Sequence, residues 1–102
     1  MEILNVPFLV NSYIRQKDKD NIVRSCKNFV LFCYKNDLIT KSPFLPGGEF
    51  NNEIVLHETD LTESGEMIFE MLLDKWLAYT DRTQKYDDTS KLEKLFEKLK
   101  SK

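Results

Sequence analysis

Histidine, cysteine, nucleophilic serine and grouped carboxylates carry most side-chain chemistry, and this chain holds few of them in useful arrangements. His57 is the only histidine. It ends the apolar stretch Glu53-Ile54-Val55-Leu56-His57 and is followed by Glu58. Consecutive strand residues face opposite ways, so His57 and Glu58 form no dyad by themselves. Ser64 precedes Gly65, yet the Gly-x-Ser-x-Gly elbow of a hydrolase is missing. Pro46-Gly47-Gly48 lacks the Lys-Ser/Thr that completes a phosphate-binding loop. Asp87-Asp88 is a pair of neighbouring acids in a polar stretch, the pattern of solvated charges rather than of a cation site. Cys26 and Cys33 sit in a segment patterned as helix. Two helical turns put their Cα atoms roughly 10 Å apart, beyond disulfide reach. They read as small buried hydrophobes. One histidine and no second cysteine pair leave no zinc ligand set. The expectation is a protein that is not an enzyme, with no catalytic residues, no metal and no cofactor.

The most informative feature is a charge pattern. From Glu53 to Asp74 every charged residue is acidic: Glu53, Glu58, Asp60, Glu63, Glu66, Glu70 and Asp74. Helical spacing places Glu63, Glu66, Glu70 and Asp74 within a sector of roughly 80°. Glu66, Glu70 and Asp74 are successive i,i+4 neighbours, and like charges so spaced cost a few tenths of a kcal/mol per pair. A solvated face explains Glu63 and Glu66, which the helix macrodipole favours in a first turn. It explains Glu70 and Asp74 poorly. A binding surface for a basic partner explains all of them, and could steer association or imitate phosphates. Taken alone, the pattern is covered at least as well by the first reading. The candidate contact residues are Glu58, Asp60, Glu63, Glu66, Glu70 and Asp74.

Those acids need elements to hold them. Thr62 is a helix cap, and Glu63–Arg82 follows with Ile68, Phe69, Leu72, Leu73, Trp76 and Tyr79 in one apolar sector. Trp76 belongs to the core there, and its indole N–H needs a partner. An earlier helix spans about Lys19–Asn36, capped by Asp18 or Asp20. Ile22, Val23, Cys26, Phe29, Val30 and Cys33 share its inner face, and Arg24, Lys27 and Lys35 lie around the other side. Leu38–Phe44 and Glu53–His57 read as strands around the Pro46-Gly47-Gly48 turn, a hairpin with a long loop. Phe44, Leu45 and Phe50 flank that turn, and either fold onto the core or form an apolar tip. The polar stretch Thr83–Asp88 is a linker in which Tyr86 could be an exposed aromatic anchor. Thr89 or Ser90 caps a last helix carrying Leu92, Leu95, Phe96 and Leu99. Phe8, Leu9, Val10, Tyr13 and Ile14 could line a short first helix beginning near Pro7. Whether residues 1–17 form that helix or a strand added to the hairpin stays open.

With 102 residues the chain predicts a single domain over its whole length. Met1–Val10 is apolar but carries Glu2 and no basic run, and Asn5 and Pro7 interrupt it. It fits neither a signal peptide nor a membrane span, so a cytoplasmic protein without membrane contact is expected. The fold class expected is α+β and mostly helical, helices with one β-hairpin.

The order of a helix pair, a hairpin and Leu-Thr-x-x-Gly opening an amphipathic helix resembles winged-helix domains, with Lys41–His57 as the wing. That likeness implies a nucleic-acid-binding regulator using Arg24, Lys27, Lys35 and Lys41. The net charge of -2 speaks against nucleic acid as the partner. A second resemblance runs through Leu61-Thr62-Glu63-Ser64-Gly65, Asp74-Lys75-Trp76-Leu77 and Asp81-Arg82, over about the C-terminal half. These segments look like those of small bacterial immunity proteins of polymorphic toxin and contact-dependent growth inhibition systems. The resemblance implies a protein that binds one cognate toxin domain and blocks it, and a basic nuclease would suit the acidic residues. It supplies no contact residue of its own and leaves the oligomeric state unspecified.

Overall fold

Two long helices meet through a buried strip of side chains, and their pairing sets the position of everything else. The computed structural model describes residues 1–100. In chain order the elements are β1 (Glu2–Asn5), α1 (Val6–Asn11), α2 (Gln16–Lys35), β2 (Val55–His57), a 3₁₀ turn (Glu58–Asp60), α3 (Glu63–Thr83) and α4 (Thr89–Lys100). The architecture is α+β and mostly helical, as the periodicity predicts.

Helix α2 buries Cys26, Phe29, Val30 and Cys33 from the expected face and Phe32 beside them. Helix α3 buries Phe69, Leu72, Leu73 and Trp76. Phe29 meets Phe69 edge to face, with ring centroids 5.3 Å apart. A polar staple crosses this apolar contact. The Trp76 indole N–H donates to the Ser25 carbonyl at 2.9 Å, and the Ser25 and Thr80 hydroxyls lie 3.2 Å apart. Thr80 also donates to the Leu77 carbonyl. These groups are buried, and each polar atom has a partner, so the staple fixes helix register without an unpaired dipole in the core. Helix α2 begins earlier than expected. Arg15, not Asp18 or Asp20, is its N-cap and makes no side-chain capping bond. Asp18 instead sits in the first turn and pairs with Arg15 at 3.7 Å.

The sheet is antiparallel and two-stranded, but the partner of β2 is not the segment expected. β2 pairs with β1, with Leu4 opposite Leu56 and Asn5 opposite Val55. Residues 1–17 therefore supply both a strand and a short helix. Asn5 ends the strand and caps α1 by accepting the Phe8 N–H. Tyr13 and Ile14 lie beyond α1 and are exposed. Segment Leu38–Phe44 makes only isolated bridges, Ile39 to Leu61 and Phe44 to Phe50. The second bridge closes a small loop over Pro46-Gly47-Gly48, with Leu45 N–H bonded to the Glu49 carbonyl at 2.7 Å and Gly48 at φ 90. No long wing stands between residues 41 and 57. Burial and proline account for this: Leu38, Ile39, Pro43 and Ile54 are anchored in the core, and Pro43 and Pro46 lack the N–H groups a strand ladder would use.

Helix α4 docks through fully buried Leu92 and through Phe96, whose ring meets Phe32 edge to face at 5.5 Å. Gln84, in the left-handed region at φ 62, ends α3 and turns the chain back. The stretch after it is tied down rather than free. Asn28 on α2 donates to the Tyr86 carbonyl at 2.7 Å and to Asp87 at 3.1 Å.

Candidate binding surface

The outer side of α3 carries the acidic residues because its inner side is committed to the core. Thr62 fixes where that helix starts. Its hydroxyl accepts the Gly65 N–H at 3.0 Å and donates to the Asp37 carbonyl at 2.6 Å. Its own N–H bonds the Leu38 carbonyl at 3.1 Å. The first turn is thereby pinned against the segment after α2, and the rotation of every later residue follows. Glu63, Glu66, Glu70 and Asp74 are all exposed, and Glu58 joins them from the 3₁₀ turn.

None of these five carboxylates has a basic group within ion-pair distance among the described residues. Nor does any of their side chains accept a hydrogen bond there. The face is therefore uncompensated. Glu58, Glu66 and Glu70 come together around an open cleft of about 380 Å³ whose other walls are Ile3, Leu61 and Phe69. Carboxylates at the rim and an apolar floor suit a lysine or arginine side chain, with its stem on the floor and its charge at the rim. Glu63 and Asp74 lie outside that cleft.

Asp60 differs from the other candidates. It is half-buried, and its carboxylate accepts the His57 backbone N–H at 2.8 Å while standing 3.6 Å from the His57 ring Nδ1. It closes the 3₁₀ turn and presents Glu58. Met67 and Met71 carry no charge and so stand outside the acidic pattern of the sequence. They lie one turn apart beside the acids, with 81% and 52% of their surface exposed. Their angle on the helix was computable, and unbranched thioethers are adaptable contact surface.

Other candidates are placed differently. Tyr86 is half-buried, with its hydroxyl 3.1 Å from Gln84 Oε1, and is no free anchor. Around the Gly-Gly turn the residues divide: Phe50 packs against the core while Phe44 and Leu45 stay exposed, Phe44 against Tyr34. On α2, Arg24 is paired with Asp87 at 3.7 Å, whereas Lys27 and Lys35 are exposed. Cys26 and Cys33 are free and buried, and burial pushes the Cys26 thiol up to about 12 and the Cys33 thiol up as well. Both are therefore protonated and unreactive at neutral pH. Among the described residues no His, Cys, Asp and Glu are grouped to hold a metal, and no helix is long and apolar enough to cross a membrane.

Fold and surface together define a small, mostly helical α+β domain with one uncompensated acidic helix face. No protein family, curated protein or solved structure matches this chain.

Proposed function

We propose that this chain is an immunity-type protein that binds a cognate toxin domain in the cytoplasm and neutralises it through the acidic face of α3. The observation that carries this reading is the set of exposed carboxylates, Glu58, Glu63, Glu66, Glu70 and Asp74, with no basic group within ion-pair distance among the described residues. A face left unpaired within its own chain is available to a partner of opposite charge, and the free protein retains the repulsion of Glu66, Glu70 and Asp74 until that partner arrives. A toxin acting on nucleic acid carries the required basic surface. Carboxylates seated there occupy the positions of substrate phosphates and speed encounter by steering. The winged-helix reading has less support, since Arg24 is already paired and the long wing is not formed.

The test is co-expression with the C-terminal domain encoded by the neighbouring upstream reading frame. This chain should protect cells from that domain and bind it one to one, with association slowing as salt rises. Changing Glu66, Glu70 and Asp74 together to Lys should weaken binding by several kcal/mol, because close interfacial charge pairs couple at ~1.5–7 kcal/mol. An absence of protection overturns the reading. Unchanged affinity in the triple variant removes the acidic face from it.

A further inference from the structure

Two unbranched apolar side chains stand in water on the outer face of α3. Met67 and Met71 keep 81% and 52% of their surface exposed. The 100° helical step sets them between two kinds of charge. On one flank lie Glu63, Glu70 and Asp74, and on the other Lys75, all exposed. Helix α4 extends the basic flank by running antiparallel to α3 along that side. At one end the Lys91 ammonium lies 5.4 Å from the centre of the Tyr79 ring. At the other, Phe96 and Leu99 share an apolar cleft of about 360 Å³ with Met67 and Ile68.

The contacts of α4 fix its rotation. Leu92 is in the core, Phe96 meets Phe32 on α2, and Lys91 meets Tyr79 on α3. The helical step then puts Lys91, Lys94 and Lys98 on the edge of α4 nearest α3. Glu93 and Glu97 fall on the edge toward α2, where Glu93 lines a cleft with Asn28 and Lys35. Three bands therefore run side by side along one face of the molecule: carboxylates, methionines and lysines. Equal rise per residue, counted from the Lys91–Tyr79 contact, brings Lys94 to the turn of α3 that carries Asp74 and Lys98 to the turn that carries Glu70 and Met71. Such a face complements itself. A two-fold axis parallel to α3 sets the lysines of each copy on the carboxylates of the other and methionine on methionine. A two-fold axis at right angles to α3 sets like charges together, which is unfavourable.

We propose that the chain pairs with a second copy of itself through this banded face, as a symmetric dimer whose α3 helices run parallel with Met67 and Met71 packed across the axis. One helix face and one helix edge make a contact at the small end of interface sizes, under ~1,200 Å². Association is therefore weak, on the order of 100 µM, and the chain is monomeric at low micromolar concentration. The pairing covers Glu70 and Asp74, so a basic toxin domain on the acidic face displaces the second copy. The dimer itself does not depend on the toxin reading.

The experiment is sedimentation of the full chain alone, from about 10 µM to about 1 mM, at low and high salt. At low salt the mass should climb toward that of a dimer, and added salt should weaken the association as it screens the bands. Asp74→Lys and Lys94→Glu, both at exposed positions, should each weaken association about tenfold, because symmetry repeats every pair and reversal turns attraction into repulsion. The double variant should regain what each single variant loses, a result that misfolding cannot produce. Helix direction is read with Met67→Cys, whose thiols from the two copies meet at one height in the parallel arrangement. The natural thiols, Cys26 and Cys33, are buried and take no part. Under mild oxidation Met67→Cys should yield covalent dimers much faster than Lys27→Cys, which is exposed on α2. A monomer mass at about 1 mM, a double variant no better than the single ones, or equal cross-linking at the two cysteine positions overturns the proposal.

Discussion

Asp88 joins two helices through one carboxylate. It accepts the Tyr79 hydroxyl at 2.6 Å and the Ser90 hydroxyl, tying the end of α3 to the start of α4. The bond from Ser90, followed by that from Tyr79, holds the Asp88 carboxyl below the usual carboxylate range. The same contact, acting first through the Asp88 bond, holds the Tyr79 hydroxyl above its ordinary value. The signs follow. A depressed carboxyl stabilises the fold above its unfolded value of about 3.9, and that contribution is lost as pH falls through the folded one. A raised hydroxyl stabilises below its unfolded value of about 10 and is lost as pH rises through the folded one. Asp88→Asn should therefore lower the urea midpoint at neutral pH, and the gap to the natural protein should close in strong acid and again in strong base. A gap independent of pH would remove this bond from the account. In the sequence, Asp87 and Asp88 look like solvated acids of a linker. Ser90 is a local partner, but Tyr79 on α3 and the Asp87 partners Arg24 and Asn28 on α2 are met only because the chain turns back after α3, which no local pattern announces. Trp76 shows the same division. Its helical angle places it in the core, but the carbonyl that takes its N–H belongs to Ser25, on another helix.

The Leu-Thr-x-x-Gly segment is a packing device. Leu61 bridges Ile39, Thr62 caps α3 and grips Asp37, and Gly65 lies against the Leu38 backbone. A Cβ at Gly65 would fall on the Leu38 carbonyl oxygen, the same atom that accepts the Thr62 N–H. Two effects oppose each other in Gly65→Ala. Alanine gains about 1 kcal/mol of helix propensity. Forcing the backbone apart costs typically 1–3 kcal/mol, and here the obstacle is a main-chain carbonyl already held in a bond. The clash should win, because a main-chain obstacle puts its cost in the upper part of that range, with a net loss of up to about 2 kcal/mol and a fall of about 4–8 °C in Tm per kcal/mol. A rise in Tm would mean the contact yields. The motif serves any fold that starts a helix beside an extended segment, which accounts for its likeness to winged-helix domains. Elements with strong periodicity were legible: α3 begins where Thr62 predicts, and the apolar faces of α2 and α4 lie where their spacing puts them. The strand pairing was not. β1 meets β2 across half the chain, and short apolar strands carry no mark of their partner. Of the surface acids, all but Asp60 are exposed as their angles require, because solvation needs no tertiary information. The cleft that Glu58, Glu66 and Glu70 line depends on Ile3, contributed by the N-terminal segment.

The molecule as a whole has acidic and basic residues in near balance, 17 against 15, yet it does not distribute them evenly. Arg15, Arg24 and Lys100 find carboxylates, while the outer face of α3 keeps its acids apart from any base among the described residues. That choice acts against stability. Replacing Glu70 with Lys would turn two repulsive i,i+4 contacts, to Glu66 and Asp74, into attractive ones. Each pair contributes ~0.2–0.5 kcal/mol in either direction, so the swing is about 1 kcal/mol in favour of the folded state. For a domain of this length that raises Tm by about 4–8 °C at low salt, and less at high salt as screening grows. The surface accommodates the change because Glu70 is exposed and touches the core through none of its charge. If the acidic face binds a basic partner, the same substitution should weaken the complex while strengthening the free protein. Opposite signs for Tm and affinity mark a surface kept for function at the expense of stability. If the face is only solvated, Glu70→Lys should raise Tm and leave binding untouched. Thermal melts of the variant at two salt concentrations, set beside its titration against the proposed toxin partner, separate the two cases.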